Sequence, residues 1–357
     1  MKNDNNSAKP AIFIGDRPIG RGHPVFIIAE MSANHSKSLE HACQLIHAAK
    51  EAGADAVKVQ TYTPDTLTLD SKKKYFMIQG GTLWDGRSLY DLFQEAYMPW
   101  EWYPKLQEAA DVCGILLFST AFDPSSVDFL EQMNVPVHKV ASFEIVDIPL
   151  IEKMASTSKP LILSTGMANW EEIETAVAAA KHAGAKQIAL LKCTSSYPAP
   201  ARSMNLRAIP RMEERFGTPV GLSDHTMGTI IPTAAVSLGA CIVEKHLTLS
   251  RAVPGPDSSF SLEPQEFREM VTAIRTCEEA ILGDSCQATE EEAKSLVFRR
   301  SLFVTQDLKA GARLTAENVR SIRPSHGLMP KHLKAVLGRQ VKTDIEKGTP
   351  LSWEILD

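Results

Sequence analysis

The stretch PVGLSDHTMGTIIPTAAVSLGACIVEKHLT, residues 219–248, decides the fold class. It holds two short, largely apolar runs, PVGLSD and CIVEKHLT, of the kind that forms strands buried on both faces. Each run closes on a histidine, His225 or His246. Between them, Gly228 to Leu238 is rich in Ala and Ile and reads as a helix. Strand, helix, strand is a parallel unit, so both imidazoles arrive at the same end of adjacent strands. Two imidazoles so placed can share one divalent metal; hydrogen-bonded core histidines are the other use of such a pair.

The same rhythm runs from Val25 to about Gly283. The strand candidates are VFIIAE, AVKVQTY, ILLFSTAF, VHKVASFE, PLILSTG, QIALLKCTS, PVGLSD and CIVEKHLT. Eight such runs alternating with Ala-rich amphipathic stretches predict an α/β fold of the (β/α)8 TIM-barrel type. A doubly wound open sheet is the runner-up, weakened because no G-x-G-x-x-G follows the first strand. Helix signals agree. Ser38 precedes an amphipathic run ended by Gly53, and Asn169 precedes acids in a first turn, with Gly184 closing that helix.

Two stretches depart from the rhythm. Residues 62–100 are too long for a simple connection and hold GGTLWDGRSLYDL and the aromatics Tyr97, Trp100, Trp102 and Tyr103. Such a loop is either functional or a packed Ω-loop. After about Glu292 the alternation stops, and Asp307–Thr315 resembles Asp344–Ser352 as an internal repeat. Each copy reads as a strand, a Gly turn and a second strand. The domains expected are an N-terminal leader and first β segment (1–24), a catalytic barrel (25–283), a linker (284–297) and a small β-rich domain (298–357).

Composition narrows the function classes. The chain has 357 residues, 44% hydrophobic and 23% charged, with a net charge of -5. No basic run exceeds Lys72–Lys74, which excludes a nucleic-acid partner. Six scattered cysteines without CxxC spacing suggest reduced thiols and a cytoplasmic protein. The first ten residues are polar and read as disordered. Val25–Ala29 is too short to span a bilayer, so no membrane partner is expected.

In a barrel, chemistry sits at the C-terminal strand ends. There the chain places Glu30, Asn34, His35, Lys58, Gln60, Ser119, Thr120, Lys139, Ser142, Glu144, Ser164, Thr165, Lys192, Thr194, Ser195, Tyr197, Ser223, Asp224, His225, Glu244 and His246. Alternation puts Lys58 with Gln60, and Glu244 with His246, on one strand face. A buried lysine is costly without a partner. Lys58 and Lys139, with the hydroxyls of Ser142, Ser164, Thr194, Ser195 and Ser223, suggest an anion site for phosphate or carboxylate; snorkelling lysines are the plainer alternative. Two histidines are fewer ligands than structural zinc needs. They suit an open site for Mn2+, Mg2+ or Co2+, with Glu30 and Glu244 as acid/base or outer partners.

Taken together, IAEMSANH (28–35), AVKVQTY (56–62), KVASFE (139–144), STGM (164–167), LKCTSSYP (191–198), GLSDHT (221–226), VEKHLT (243–248) and GPDSSFSLEP (255–264) resemble the sialic acid synthase family. The tail RRSLFVTQDLKAGARLTAENVRSIRPSHGL (299–328) resembles that family's antifreeze-like, or SAF, β-clip domain. The resemblance implies condensation of phosphoenolpyruvate with the aldehyde of an open-chain acetamido sugar. It assigns phosphoenolpyruvate to Lys58, Thr120, Lys139, Ser142, Ser164, Ser195 and Ser223. It assigns the sugar to Gln60, Tyr197 and Asp257, a divalent metal to His225 and His246, and catalytic roles to Glu30 and Glu244 beside them. SANH, the long insert and CTSSYP are most similar to the branch whose sugar is 2,4-diacetamido-2,4,6-trideoxy-altrose. N-acetylmannosamine and the legionaminate-type epimer are the alternatives. Arg323 resembles an arginine that the family's small domain inserts into a partner's barrel, which implies a domain-swapped homodimer; Ser325 stands where the family motif usually reads Gly. The rivals from other classes are a Schiff-base aldolase using Lys58, Lys139 or Lys192, and a non-enzymatic carbohydrate-binding protein.

Overall fold

A computed structural model describes residues 11–283 and 285–357. The expected disorder of the first ten residues lies outside the described residues. The chain divides into two compact units, one running to Leu282 and one from Gly283 to Asp357.

The first unit opens with a hairpin, β1 (Ala11–Ile14) and β2 (Arg17–Gly20). Eight parallel strands follow: β3 (Phe26–Glu30), β4 (Ala56–Thr61), β5 (Leu116–Ala121), β6 (His138–Val140), β7 (Leu161–Ser164), β8 (Ile188–Cys193), β9 (Val220–Asp224) and β10 (Ile242–His246). They close into a barrel, with β10 pairing both β9 and β3. The closed barrel decides against the doubly wound alternative, and each strand falls inside its expected run.

Alternation along each strand sorts the apolar residues into two cores. Ile27, Ala29, Val57, Val59, Leu190 and Val243 pack outward against the helices. Phe26, Ile28, Ala56, Phe118, Ile162 and Leu191 fill the barrel interior, with Ile12, Ile14 and Ile19 of the hairpin packed into the same cluster. The interior below the strand ends is therefore solid, and only the C-terminal mouth is left open for chemistry. Gly221 is required in this interior, because a Cβ there would lie 2.6 Å from Ile242 Cβ.

The helices begin where the sequence places them. The Ser38 hydroxyl accepts the His41 N–H ahead of Leu39–Glu51. Asn169 and Glu172 form a reciprocal capping box ahead of Trp170–His182, worth about 1 kcal/mol. The stretch after β9 is helical over Ile230–Ser237, shorter than the Gly228–Leu238 expected.

The second unit has its own core, built on Leu302, Val304, Leu314, Val319, Val341 and Leu351. Its only strand pair among the described residues is β11 (Ser301–Val304) with β12 (Val319–Ile322). The repeat departs from expectation. Its copies do not form strand pairs internally; they bridge each other at Leu308 and Ile345. The contact is reciprocal: Asp344 Oδ1 accepts the Ala310 N–H at 2.9 Å and Asp307 Oδ1 accepts the Lys347 N–H at 2.8 Å. Gly311 and Gly348 hold equivalent turns at φ 82 and 91. The repeat thus encodes a pseudo-twofold turn pair.

Candidate active site

The barrel mouth opens into a cavity of about 520 Å3. Strand register builds its floor. Glu30 lies between His246 and Lys58 on its neighbouring strands, and Gln60 pairs with Thr120, which pairs with Lys139. The inward alternation expected for Lys58 with Gln60, and for Glu244 with His246, is what the fold provides: all four line the cavity.

Lys58 anchors the floor. Its Nζ lies 2.6 Å from Glu30 Oε2 and 3.7 Å from Glu244 Oε1, and it donates to Thr120 Oγ1 at 3.0 Å. Burial alone would lower this ammonium's pKa, but Glu244 and Glu30 outweigh it and hold the group protonated. Glu30 also accepts from Gln60 Nε2 at 2.8 Å. Burial pushes the Glu30 carboxyl up to about 7, with Glu244 adding and Lys58 opposing. Burial also disfavours charge on Glu244, but Lys139 and Lys58 hold its carboxyl below the ordinary range. Two neighbouring carboxylates are thus driven apart, the separation that assigns one of them to proton transfer.

Lys139 donates to Ser164 Oγ at 2.7 Å and to the Val140 carbonyl at 2.9 Å; burial lowers its pKa. The Ser142 hydroxyl accepts the Gly166 N–H at 3.1 Å. Ser223 donates to Glu244 Oε1 at 3.2 Å. The result is a set of cations and hydroxyls at one depth, with ammonium and O–H groups available to an anion.

The two histidines face each other with ring centroids 5.3 Å apart. His225 Nδ1 lies 3.0 Å from the Thr194 carbonyl, a contact that places the proton on Nδ1 and leaves Nε2 as the free donor. Burial holds His246 neutral by pushing its pKa well down. Among the described residues, His246 Nδ1 and Glu244 Oε2 are buried without a hydrogen-bond partner. A neutral His246 facing His225, beside an unsatisfied carboxylate oxygen, fits a divalent ion that keeps open positions. No group of three His, Cys, Asp or Glu side chains converges as a ligand set among the described residues.

A buried ion pair braces these histidines from behind. Lys245, next to His246, pairs with Asp224, next to His225, at 2.6 Å, and both side chains are almost fully buried. Asp224 additionally accepts from the N–H and hydroxyl of Thr226.

The sugar-side residues sit higher. Asp257 accepts from the Ser32 hydroxyl and from the Ala33 N–H at 3.3 Å. The Tyr197 ring lies 4.4 Å from His225. The insert after β4 roofs the mouth: Leu67, Ile78, Trp84, Leu89 and Phe93 line the same cavity. The choice between functional loop and packed loop is resolved by splitting the segment. Trp100 and Trp102 are structural, with Trp100 Nε1 bonded to the Tyr62 carbonyl and Trp102 edge-on to His35. Trp84 faces the cavity.

Three expectations are corrected by the geometry. The Thr194 hydroxyl donates to the Ser203 carbonyl, so only the backbone of Thr194 serves the site. Asn34 is spent on the Leu247 carbonyl and Ser261 hydroxyl. Ser195 is not in the cavity wall, although its hydroxyl and that of Ser142 both stand close to Gly166. Arg323 is exposed on the second unit. Its neighbour Ser325 has a local task instead: its hydroxyl donates to the Leu296 carbonyl at 2.7 Å. Sequence reading passed over Ser32, whose signal was its place in SANH beside Asn34, and Trp84, whose signal was a lone tryptophan between the turns of the insert.

The chain is 45% identical over 327 residues to a pseudaminic acid synthase of Campylobacter jejuni, covering 92% of this chain and 95% of that protein. It is 43% identical over 338 residues to the pseudaminic acid synthase of Helicobacter pylori, covering 94% and 98%. The solved N-acetylneuraminic acid synthetase of Leptospira borgpetersenii, in complex with citrate, superposes with a TM-score of 0.72 at 33% identity, over 81% of this chain and 95% of that one. The SAF domain matches residues 299–356. With the NeuB family matching residues 45–286, which hold seven of the eight barrel strands, the chain belongs to the NeuB family.

Proposed function

We propose that this protein condenses phosphoenolpyruvate with open-chain 2,4-diacetamido-2,4,6-trideoxy-altrose and water, giving pseudaminic acid and phosphate. The observation that carries this reading is one cavity joining a floor of ammonium and hydroxyl groups to a pair of facing imidazoles. The likeness to two pseudaminic acid synthases supports the choice of sugar.

Lys58 and Lys139, with the hydroxyls of Thr120, Ser142, Ser164 and Ser223, hold the phosphate and carboxylate of phosphoenolpyruvate. Gln60, Tyr197 and Asp257 orient the sugar so that its aldehyde carbon meets C3 of phosphoenolpyruvate. C3 attacks that carbon and the new C–C bond leaves C2 electron-poor. Water adds to C2, and Glu30 takes its proton. The C2–O bond then breaks, phosphate leaves with the bonding pair and takes the remaining C2 hydroxyl proton, C2 becomes the 2-keto carbon, and the alkoxide left from the aldehyde takes the proton held by Glu30. Glu244, ionised beside Lys58, offsets positive charge at C2. A divalent ion held by His225 and His246 would supply Lewis-acid polarisation of the aldehyde oxygen when bound.

Arg323 completes the site from the small domain of a second copy, in a domain-swapped homodimer. Six free thiols and a phosphoenolpyruvate substrate support a cytoplasmic location; no helix among the described residues is long and apolar enough to cross a membrane.

The test offers purified protein phosphoenolpyruvate with the trideoxy sugar, its legionaminate-type epimer or N-acetylmannosamine, and follows phosphate release. Preference for the trideoxy altrose, loss of turnover with chelator and recovery with Mn2+ are expected. Metal-independent turnover of pyruvate, with borohydride trapping on a lysine, would overturn the reading in favour of an aldolase.

A further inference from the structure

We propose that the apolar roof of the cavity selects sugars lacking oxygen at C6, with Trp84 and Ile78 as the specificity-determining residues. This inference rests on the function proposed above and names which end of the sugar is read, and by what.

The argument starts from polarity sorted by depth. The aldehyde carbon must react near His225 and His246 at the floor. The rest of an extended sugar chain therefore runs away from the floor, and its last carbon lies furthest from the reacting centre. Mid-depth, Ser32, Gln60 and Asp257 form a hydrogen-bonded belt suited to hydroxyl and amide groups. Above it, Leu67, Ile78, Trp84, Leu89 and Phe93 supply carbon surface.

The polar side-chain groups of Trp84 and Thr82 are already spent. Trp84 Nε1 donates to the Pro256 carbonyl at 3.1 Å. The Thr82 hydroxyl donates to Asp85 Oδ1 at 2.6 Å. A C6 hydroxyl arriving here would give up water and find no replacement partner, whereas a methyl group would gain contact.

The roof is built in place before any sugar arrives. Asp85 gathers the N–H groups of Gly80, Gly81 and Thr82 at 3.1, 2.8 and 2.8 Å. Ile78 and its partners Arg87 and Gly86 exchange backbone bonds at 2.9 and 3.0 Å. The Trp84 ring lies 5.7 Å from Tyr197, which in turn covers His225. The wall that meets the far end of the sugar is thus continuous with the aromatic wall at its reacting end.

The experiment compares 2,4-diacetamido-2,4,6-trideoxy-altrose with its 6-hydroxy counterpart in the wild-type protein, Trp84→Ala and Ile78→Thr. Ile78→Thr keeps the β-branch and exchanges the ethyl arm for a hydroxyl, so it tests the wall even if Trp84→Ala disturbs the insert. Wild-type kcat/KM should favour the methyl sugar on the order of 10- to 100-fold. Both variants should cut that ratio by roughly fivefold or more, through the sugar KM, with the phosphoenolpyruvate KM unchanged. Wild-type protein that turns over both sugars equally, or variants that keep the wild-type ratio, overturn the roof alone. Wild-type protein that releases phosphate with neither sugar overturns the proposed function and the roof with it.

Discussion

Replacing Gly166 by Ala would test the anion cradle without touching a charged group. Gly166 has no positive φ, so its backbone accepts an L side chain. The space does not: a Cβ there would lie 2.7 Å from Ser142 Oγ and 2.9 Å from Ser142 Cβ, with Ser195 Oγ closer still. Comfortable carbon contacts begin near about 3.5 Å, so both hydroxyls must retreat by roughly 1 Å. Hydrogen bonds to a charged group contribute about 1.5–3 kcal/mol each and do not survive such a shift. Loss of the Ser142 bond to the anion costs about 1.5–3 kcal/mol, or on the order of 10- to 100-fold in kcat/KM for phosphoenolpyruvate. Phosphate release is measured against phosphoenolpyruvate at saturating sugar, and thermal unfolding confirms that the barrel is intact. A folded Gly166→Ala protein with wild-type phosphoenolpyruvate KM and kcat would show that Ser142 does not hold the anion.

Glu30 acts as acceptor only when ionised, and its carboxyl is raised to about 7. Activity should therefore fall as pH drops through about 7, and Glu30→Gln should lose that limb along with about 10^2- to 10^4-fold in kcat; a rate independent of pH across neutrality would remove Glu30 from proton transfer. Lys245→Met leaves the buried Asp224 carboxylate without its cation and should cost about 3–5 kcal/mol in urea unfolding. Adding Asp224→Asn should restore part of that loss, and an unchanged urea midpoint in the single variant would mean the pair braces nothing. Arg323→Ala should raise the sugar KM more than that of phosphoenolpyruvate. Hybrid dimers of Arg323→Ala with His246→Ala subunits should regain activity, and inactive hybrids would argue against a shared site.

Much of this was legible locally. Strand positions followed from apolar runs, and helix starts from Ser38 and Asn169, because both signals act within a few residues of one another. The pairing of Lys58 with Gln60, and of Glu244 with His246, followed from the twofold period of a strand. What escaped was whatever depended on direction after a strand ends. Thr194 and Ser195 are adjacent in sequence, yet one hydroxyl turns to the Ser203 carbonyl and the other stands against Gly166. Outside a strand, no period says which way a side chain points. The repeat in the second unit misled for a related reason: internal similarity reveals two equal pieces, but not that they pair with each other.

The sequence by itself determined the class of fold, the end of the barrel that carries chemistry and the residue types gathered there. These are properties of periodicity and of strand order. Only the tertiary structure decided the ionisation of those groups and the shape of the space above them. Glu30 and Glu244 are the same residue type at the mouth of neighbouring strands. One is raised to about 7 and the other held ionised because barrel closure sets β10 beside β3 and places Lys58 and Lys139 unequally around them. Trp84 likewise became a wall of the site only when the insert folded back to reach Pro256, 172 positions further along the chain. Electrostatics and shape depend on distances through space, and those exist only once the chain has closed.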